Sequence, residues 1–215
     1  MLTPRLALSV MRRLAFEIEC VRENALAMDI FESRRGYEYD YATACLPGNV
    51  SEAREVADGA LTMLVLRLGK FDPTLSVLLE ALAGIELREG RRHQAELTLT
   101  RALALAEQLG EHHPYVALPS LTLGQLLLEE GGRGAEAELV LRVAVRSREL
   151  HYGGRSHMVL KQSHEYLALA LEAQGKVTEA LSTSKRAQVI CKDVHGMVPD
   201  RMYDFERRLE GVLHS

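Results

Sequence analysis

Apolar residues return every three or four positions along most of this chain, which is the period of an amphipathic helix. Leu79, Leu82, Ala83 and Leu87 form one such stripe, and Ala95, Leu99, Ala102, Leu103 and Leu105 form the next. Gly90 stands between them and predicts a tight, helix-ending turn. The stretch reads as two helices folded back on each other.

That unit recurs. Residues 78–114, 120–157 and 163–200 align around Gly90, Gly132 and Gly175, which are 42 and 43 residues apart. Small residues recur with them: Ala83, Gly124 and Ala168 in the first helix, then Ala95, Ala137 and Ala180, and later Ala102, Ala144 and Ala187, in the second. Two helices approach closely only where one offers a small side chain, so these places set the crossing distance. A weaker copy precedes them, with Gly48, Ala53, Ala57 and Ala60 lying 42 residues before Gly90, Ala95, Leu99 and Ala102. The connector repeats as well, Leu68 to Pro73 reading LGKFDP and Leu109 to Pro114 reading LGEHHP. Pro73 and Pro114 suit the first turn of the following helix, where a missing N–H is harmless.

A helix pair with Leu-Ala or Leu-Gly in its first helix, glycine at the turn and two alanines seven apart in its second resembles the tetratricopeptide repeat (TPR). The long period, with its LG-x-x-[DH]-P connectors, is similar to the extended repeats of kinesin light chains. The resemblance implies an all-α, right-handed α-solenoid with capping helices. The expected organisation is an N-terminal capping helix over 1–34, repeats over 35–200 (degenerate over 35–73, then 74–116, 117–158 and 159–200) and a C-terminal capping helix over 201–215. Met202, Phe205, Leu209 and Val212 would be the buried stripe of that last helix. An array of this kind needs atypical ends, because each terminal unit has an open apolar face.

Such proteins usually bind partners along a concave groove lined by the first helices. The positions turned away from the apolar stripe are Glu80, Gly84 and Arg88, then Leu121, Gln125 and Glu129, then Glu165, Leu169 and Glu172. Arg35, Glu38 and Tyr39 are their counterparts in the weak copy. Chaperone-binding relatives clamp a peptide carboxylate with Lys, Asn and Arg, because an anion needs cationic and amide donors. The places here are acidic or apolar, which argues against that role. Kinesin light chains place asparagines there to hold a cargo peptide, and the only asparagines here are Asn24 and Asn49, outside the clear repeats. The expected partner is a protein, offering a basic, partly apolar segment.

Composition narrows the field further. The 215 residues carry a formal net charge of -4 and are 47% hydrophobic and 26% charged. That is ordinary for a globular chain. It argues against nucleic acid as partner, since phosphate neutralisation needs clustered Lys and Arg. No apolar run approaches the roughly 20 residues of a membrane span. Cys20, Cys45 and Cys191 lack ligand spacing and suit a reduced, cytoplasmic setting. The acid-free first sixteen residues, with Arg5, Arg12 and Arg13, leave an organelle transit segment, mitochondrial for example, as an alternative to a capping helix built on Leu6, Val10, Leu14, Ile18 and Val21.

No catalytic constellation stands out, and no cofactor is implied. His112 and His113 occupy a connector, where capping a loop is the expected role. His164 lies on an apolar stripe and is expected in the core. His93, His151, His157 and His195 fall in turns of different repeats and are expected on successive layers rather than around one metal ion. Glu130 to Gly134, reading EGGRG, follows a helix and lacks the lysine of a phosphate-binding loop. The sequence thus points to a non-catalytic protein-interaction module or adaptor. A structural subunit of a larger assembly, or the repeat region of a larger regulatory protein, is the alternative. Exposure of Leu97, Leu105 and Leu109 on the outer face would favour the subunit.

Overall fold

The computed structural model describes residues 50–110, 112–153 and 155–213. The N-terminal capping helix, Arg35, Glu38, Tyr39 and Gly48 lie outside these residues. Among the described residues the chain forms only helices: α1 (Val50–Leu68), α2 (Leu75–Arg88), α3 (Arg92–Ala106), α4 (Pro114–Glu130), α5 (Gly134–Tyr152), α6 (Met158–Ala173), α7 (Val177–His195) and α8 (Asp200–Leu213). A 3-10 turn over Glu107–Leu109 follows α3. Two compact units divide between Gln108 and Leu109.

The first unit contains α1, α2 and α3. Ala53 and Ala57 of α1 meet Leu82 and Ile85 of α2, and Leu75 and Leu79 of α2 meet Ala102 and Leu105 of α3. Leu61, Leu64 and Val65 of α1 close over this second cluster. Leu105 is therefore 4% exposed and belongs to the core, not to an outer face. Pro73 lies in the turn ahead of α2 rather than in its first turn. The Asp72 carboxylate accepts from the Thr74 N–H at 2.9 Å and starts the helix at Leu75.

In the second unit the first-helix/second-helix pairs α4–α5 and α6–α7 pack in sequence, and α8 lies on α7. Ala137, Ala144, Ala180 and Ala187 are all fully buried, as the spacing predicts. Gly124 shows how close the approach is: a Cβ there would stand 2.4 Å from Leu141 Cγ. Pro114 does occupy the first turn of α4, so the repeat limit read between 116 and 117 falls inside a helix. In α8, Met202 and Leu209 are buried while Val212 is 56% exposed.

The turns inside the helix pairs of both units each hold a glycine in the same backbone conformation. Gly90, Gly132 and Gly175 have φ of 75°, 73° and 74°, a left-handed conformation that only glycine adopts without strain. Next to Gly90 and Gly175, the Arg91 N–H donates to Glu86 O and the Lys176 N–H to Leu171 O, at 2.8 and 3.0 Å. These bonds satisfy carbonyls that the ending helices leave without a partner.

A charged residue after the first alanine of the second helix grips the turn of the following pair. In the first unit this is Arg54, which reaches Glu86 at 3.5 Å and Glu89 at 3.0 Å. In the second it is Glu138, which accepts from Lys176 at 2.6 Å, Gln174 at 2.7 Å and Arg142 at 2.7 Å. In α7 the same place holds Leu181.

Candidate functional site

Each first helix of the repeat begins on a side-chain acceptor in its connector. Where α2 uses Asp72, His113 Nδ1 accepts from the Tyr115 N–H at 3.2 Å to start α4. His157 Nδ1 accepts from the Val159 N–H at 3.3 Å to start α6. The capping role expected of the connector histidines is present at His113. Within the second unit, α5 secures both starts. The buried Ser147 hydroxyl donates to the His113 carbonyl at 2.9 Å, and its neighbour Arg148 donates to the Val159 carbonyl at 2.8 Å and to Ser163 Oγ at 2.6 Å.

With their starts fixed, α4 and α6 lie against each other and present one shared face. Tyr166 of α6 shares a hydrogen bond with Gln125 of α4 and sits in the field of Glu129, Glu165 and Arg201. Burial, reinforced by the two carboxylates, raises the Tyr166 phenol above its usual value against the opposing effect of the Gln125 bond. Glu165 is paired with the buried Lys161 at 2.8 Å. Glu172 is held through both oxygens by Arg208 of α8, at 3.0 and 2.9 Å. Leu169 is 37% exposed beside them.

These positions revise the list read from sequence. Gln125, Glu129, Glu165 and Leu169 are at least partly open on the α4–α6 face, and Glu172 is there with its charge matched by Arg208. Leu121 is not on that face, being fully buried. The reason is geometric: residues four apart advance about 40° round a helix, so a ladder ending at exposed Glu129 begins inside the core. Glu80 and Arg88 belong to α2 of the first unit, where Glu80 is half-buried and Arg88 exposed. Tyr166 and Arg201 were missed, although a tyrosine one place after Glu165 was the available signal.

The histidines are placed by packing. His164 is buried, and burial, with the Arg186 charge, lowers its pKa to about 4. His113 is also lowered, by burial and by the nearby His151. His151 and His157 do not lie on separate layers. His157 stacks on Tyr152 at 4.3 Å, and His151 meets the same ring edge-on at 5.0 Å. Among the described residues, no group of three or more His, Cys, Asp or Glu side chains could hold a metal ion. Nor is any helix there long and apolar enough to cross a membrane.

No protein-family model matches the chain, and no curated protein matches it. Solved structures do. The crystal structure of BtubC (BKLC) from P. vanneervenii shares 23% identity and superposes with a TM-score of 0.62 over 71% of this chain, which spans 60% of BtubC. The TPR-like repeats of a putative kinesin light chain from Podosopora anserina superpose over 89% of this chain and 94% of theirs, with 20% identity and a TM-score of 0.61. A variant of those repeats carrying a methionine substitution gives 0.62 at 19% identity, over 95% and 92% of the two chains. The fold is that of a TPR-like repeat protein. It belongs to the all-α solenoid class.

Proposed function

We propose that this chain is a non-catalytic adaptor that receives a segment of a partner protein along the α4–α6 face. The observation that carries this reading is the Gln125–Tyr166 hydrogen bond, set between Glu129, Glu165 and the exposed Leu169. An amide and a phenol bonded to each other can each re-pair with a partner's main chain. The carboxylates would receive a basic side chain and Leu169 an apolar one. Glu165 is paired with Lys161 and Glu172 with Arg208, so a basic side chain of the partner would exchange with these cations. The reading places the adaptor in the cytoplasm and does not carry over the light chains' asparagine-based hold on cargo.

A structural subunit is the second reading, and outer-face exposure supports it. Leu97 of α3 and Leu139 of α5, 42 residues apart at matching places, are 52% and 69% exposed, and Leu109 is 43% exposed. Site-specific photocrosslinking separates the two. A benzophenone side chain at position 166 should capture the partner, and one at position 139 should not. The double variant Glu129→Lys, Glu165→Lys should abolish capture at 166. Capture at 139 alone, or capture unaffected by the charge reversal, would reject the adaptor reading.

A further inference from the structure

We infer that the two histidine-capped helix starts form a pH-sensitive device, which releases the first turns of α4 and α6 under mild acid and leaves α2 unaffected. Both caps depend on an unprotonated Nδ1. The backbone N–H of Tyr115 donates to His113 Nδ1 at 3.2 Å, and that of Val159 to His157 Nδ1 at 3.3 Å. An imidazole that accepts through Nδ1 carries its single proton on Nε2. Adding a proton converts the acceptor into a donor aimed at another donor. It also places positive charge at the positive end of a helix, where the dipole opposes it. One protonation therefore removes a cap and adds a repulsion. Asp72, the matching residue before α2, caps with a carboxylate oxygen and not with an imidazole.

The surroundings set how readily each ring takes up the proton. His113 faces His151 across from α5, and its ring meets Tyr115 edge-on at 4.7 Å. Its backbone carbonyl is tied to Ser147, so the connector stays in place when the ring turns away. His157 stacks on Tyr152 of α5. On the α7 side, Asp193 accepts from the adjacent Ser156 at 2.7 Å, and Arg155 donates to the Tyr152 carbonyl at 3.2 Å. Burial first, and then His151, make His113 harder to protonate than a free imidazole, whereas Asp193 and Arg155 beside His157 have opposite signs. Arg148 and Ser147 hold the carbonyl side of both starts without titrating, so acid opens the N–H side alone.

Hydrogen exchange followed by NMR on the whole chain tests the device. Between about pH 7.5 and pH 5, protection relative to the intrinsic rate should fall roughly fivefold at Tyr115 and Val159, the amount expected for a lost cap. Protection at Thr74, on Asp72, and at Ala144, in the middle of α5, should stay constant. The double variant His113→Asp, His157→Asp keeps an acceptor at both places and should abolish the fall. Unchanged protection at Tyr115 and Val159, an equal fall at Ala144, or a fall that persists in the Asp variant would each overturn the proposal.

Discussion

Ser147 and Arg148 are adjacent in α5, yet one reaches back to the connector before α4 and the other forward to the first turn of α6. Consecutive helix residues are about 100° apart, so neighbours can serve two different contacts. Both side chains are buried, Ser147 fully and Arg148 at 3% exposure. Removing the hydroxyl in Ser147→Ala leaves the His113 carbonyl with one donor fewer. It should lower stability by about 1 kcal/mol. Arg148→Ala should cost more, about 3 kcal/mol, because a charged group's bonds to Val159 and Ser163 are lost together with its packing. Urea denaturation gives both values, and equal effects from the two variants would contradict this reading.

Two helix glycines should respond oppositely to alanine. At Gly84 a new Cβ would meet nothing within 4 Å, so Gly84→Ala should stabilise by about 0.5–1 kcal/mol through backbone entropy. At Gly124 the Cβ would press on Leu141 Cγ and Cδ2, at 2.4 and 2.6 Å. The branch atom of Leu141 cannot swing aside as a chain end could. Gly124→Ala should therefore destabilise by about 1–3 kcal/mol despite its better helix propensity. Thermal melts with the same sign for both variants would refute the close approach.

Glu138 predicts a strongly acid-sensitive joint. Its hydrogen bond from Lys176, with those from Gln174 and Arg142, holds the carboxyl at about 2 against the opposing effect of burial. A folded pKa below the unfolded one gives stability that is present above about 4.5 and lost as pH falls towards 2. Glu138→Gln should cost about 1–3 kcal/mol at neutral pH and flatten the loss over that interval. A variant with the same acid slope as the parent would show that the carboxylate does not contribute.

His164 acts at a milder pH. It is buried between α5 and α7 with neither ring nitrogen hydrogen-bonded, 3.7 Å from Glu149. Burial first, and then Arg186, keep it neutral down to about 4. The unfolded chain binds this proton near 6.5, so stability should decline from there to about 4. His164→Leu should remove that decline and leave the fall below 4.5 in place. Stability curves against pH for the two proteins would separate the contributions.

The repeat was legible because its landmarks face one requirement each. A left-handed turn admits little besides glycine, and a close helix crossing little besides alanine or glycine, so Gly90, Ala95 and Ala102 and their later counterparts could be found by spacing alone. Leu121 could not be placed by spacing, because a ladder of fourth residues drifts into the core. Arg148 was invisible for another reason. A charged residue reads as surface until Val159 and Ser163 are seen to accept its protons. Tyr166 needed Gln125 of another helix pair to reveal its position.

The grips of Arg54 and Glu138 have one more consequence. They occupy the same place in their repeats but carry opposite charges, and each is met by its opposite in the next turn. A recombined chain that set Arg54 against a turn bearing Lys176 would bring two cations together where one pair now holds. These repeats are therefore not interchangeable bricks. Charge sets the Arg54 joint apart from the Glu138 joint.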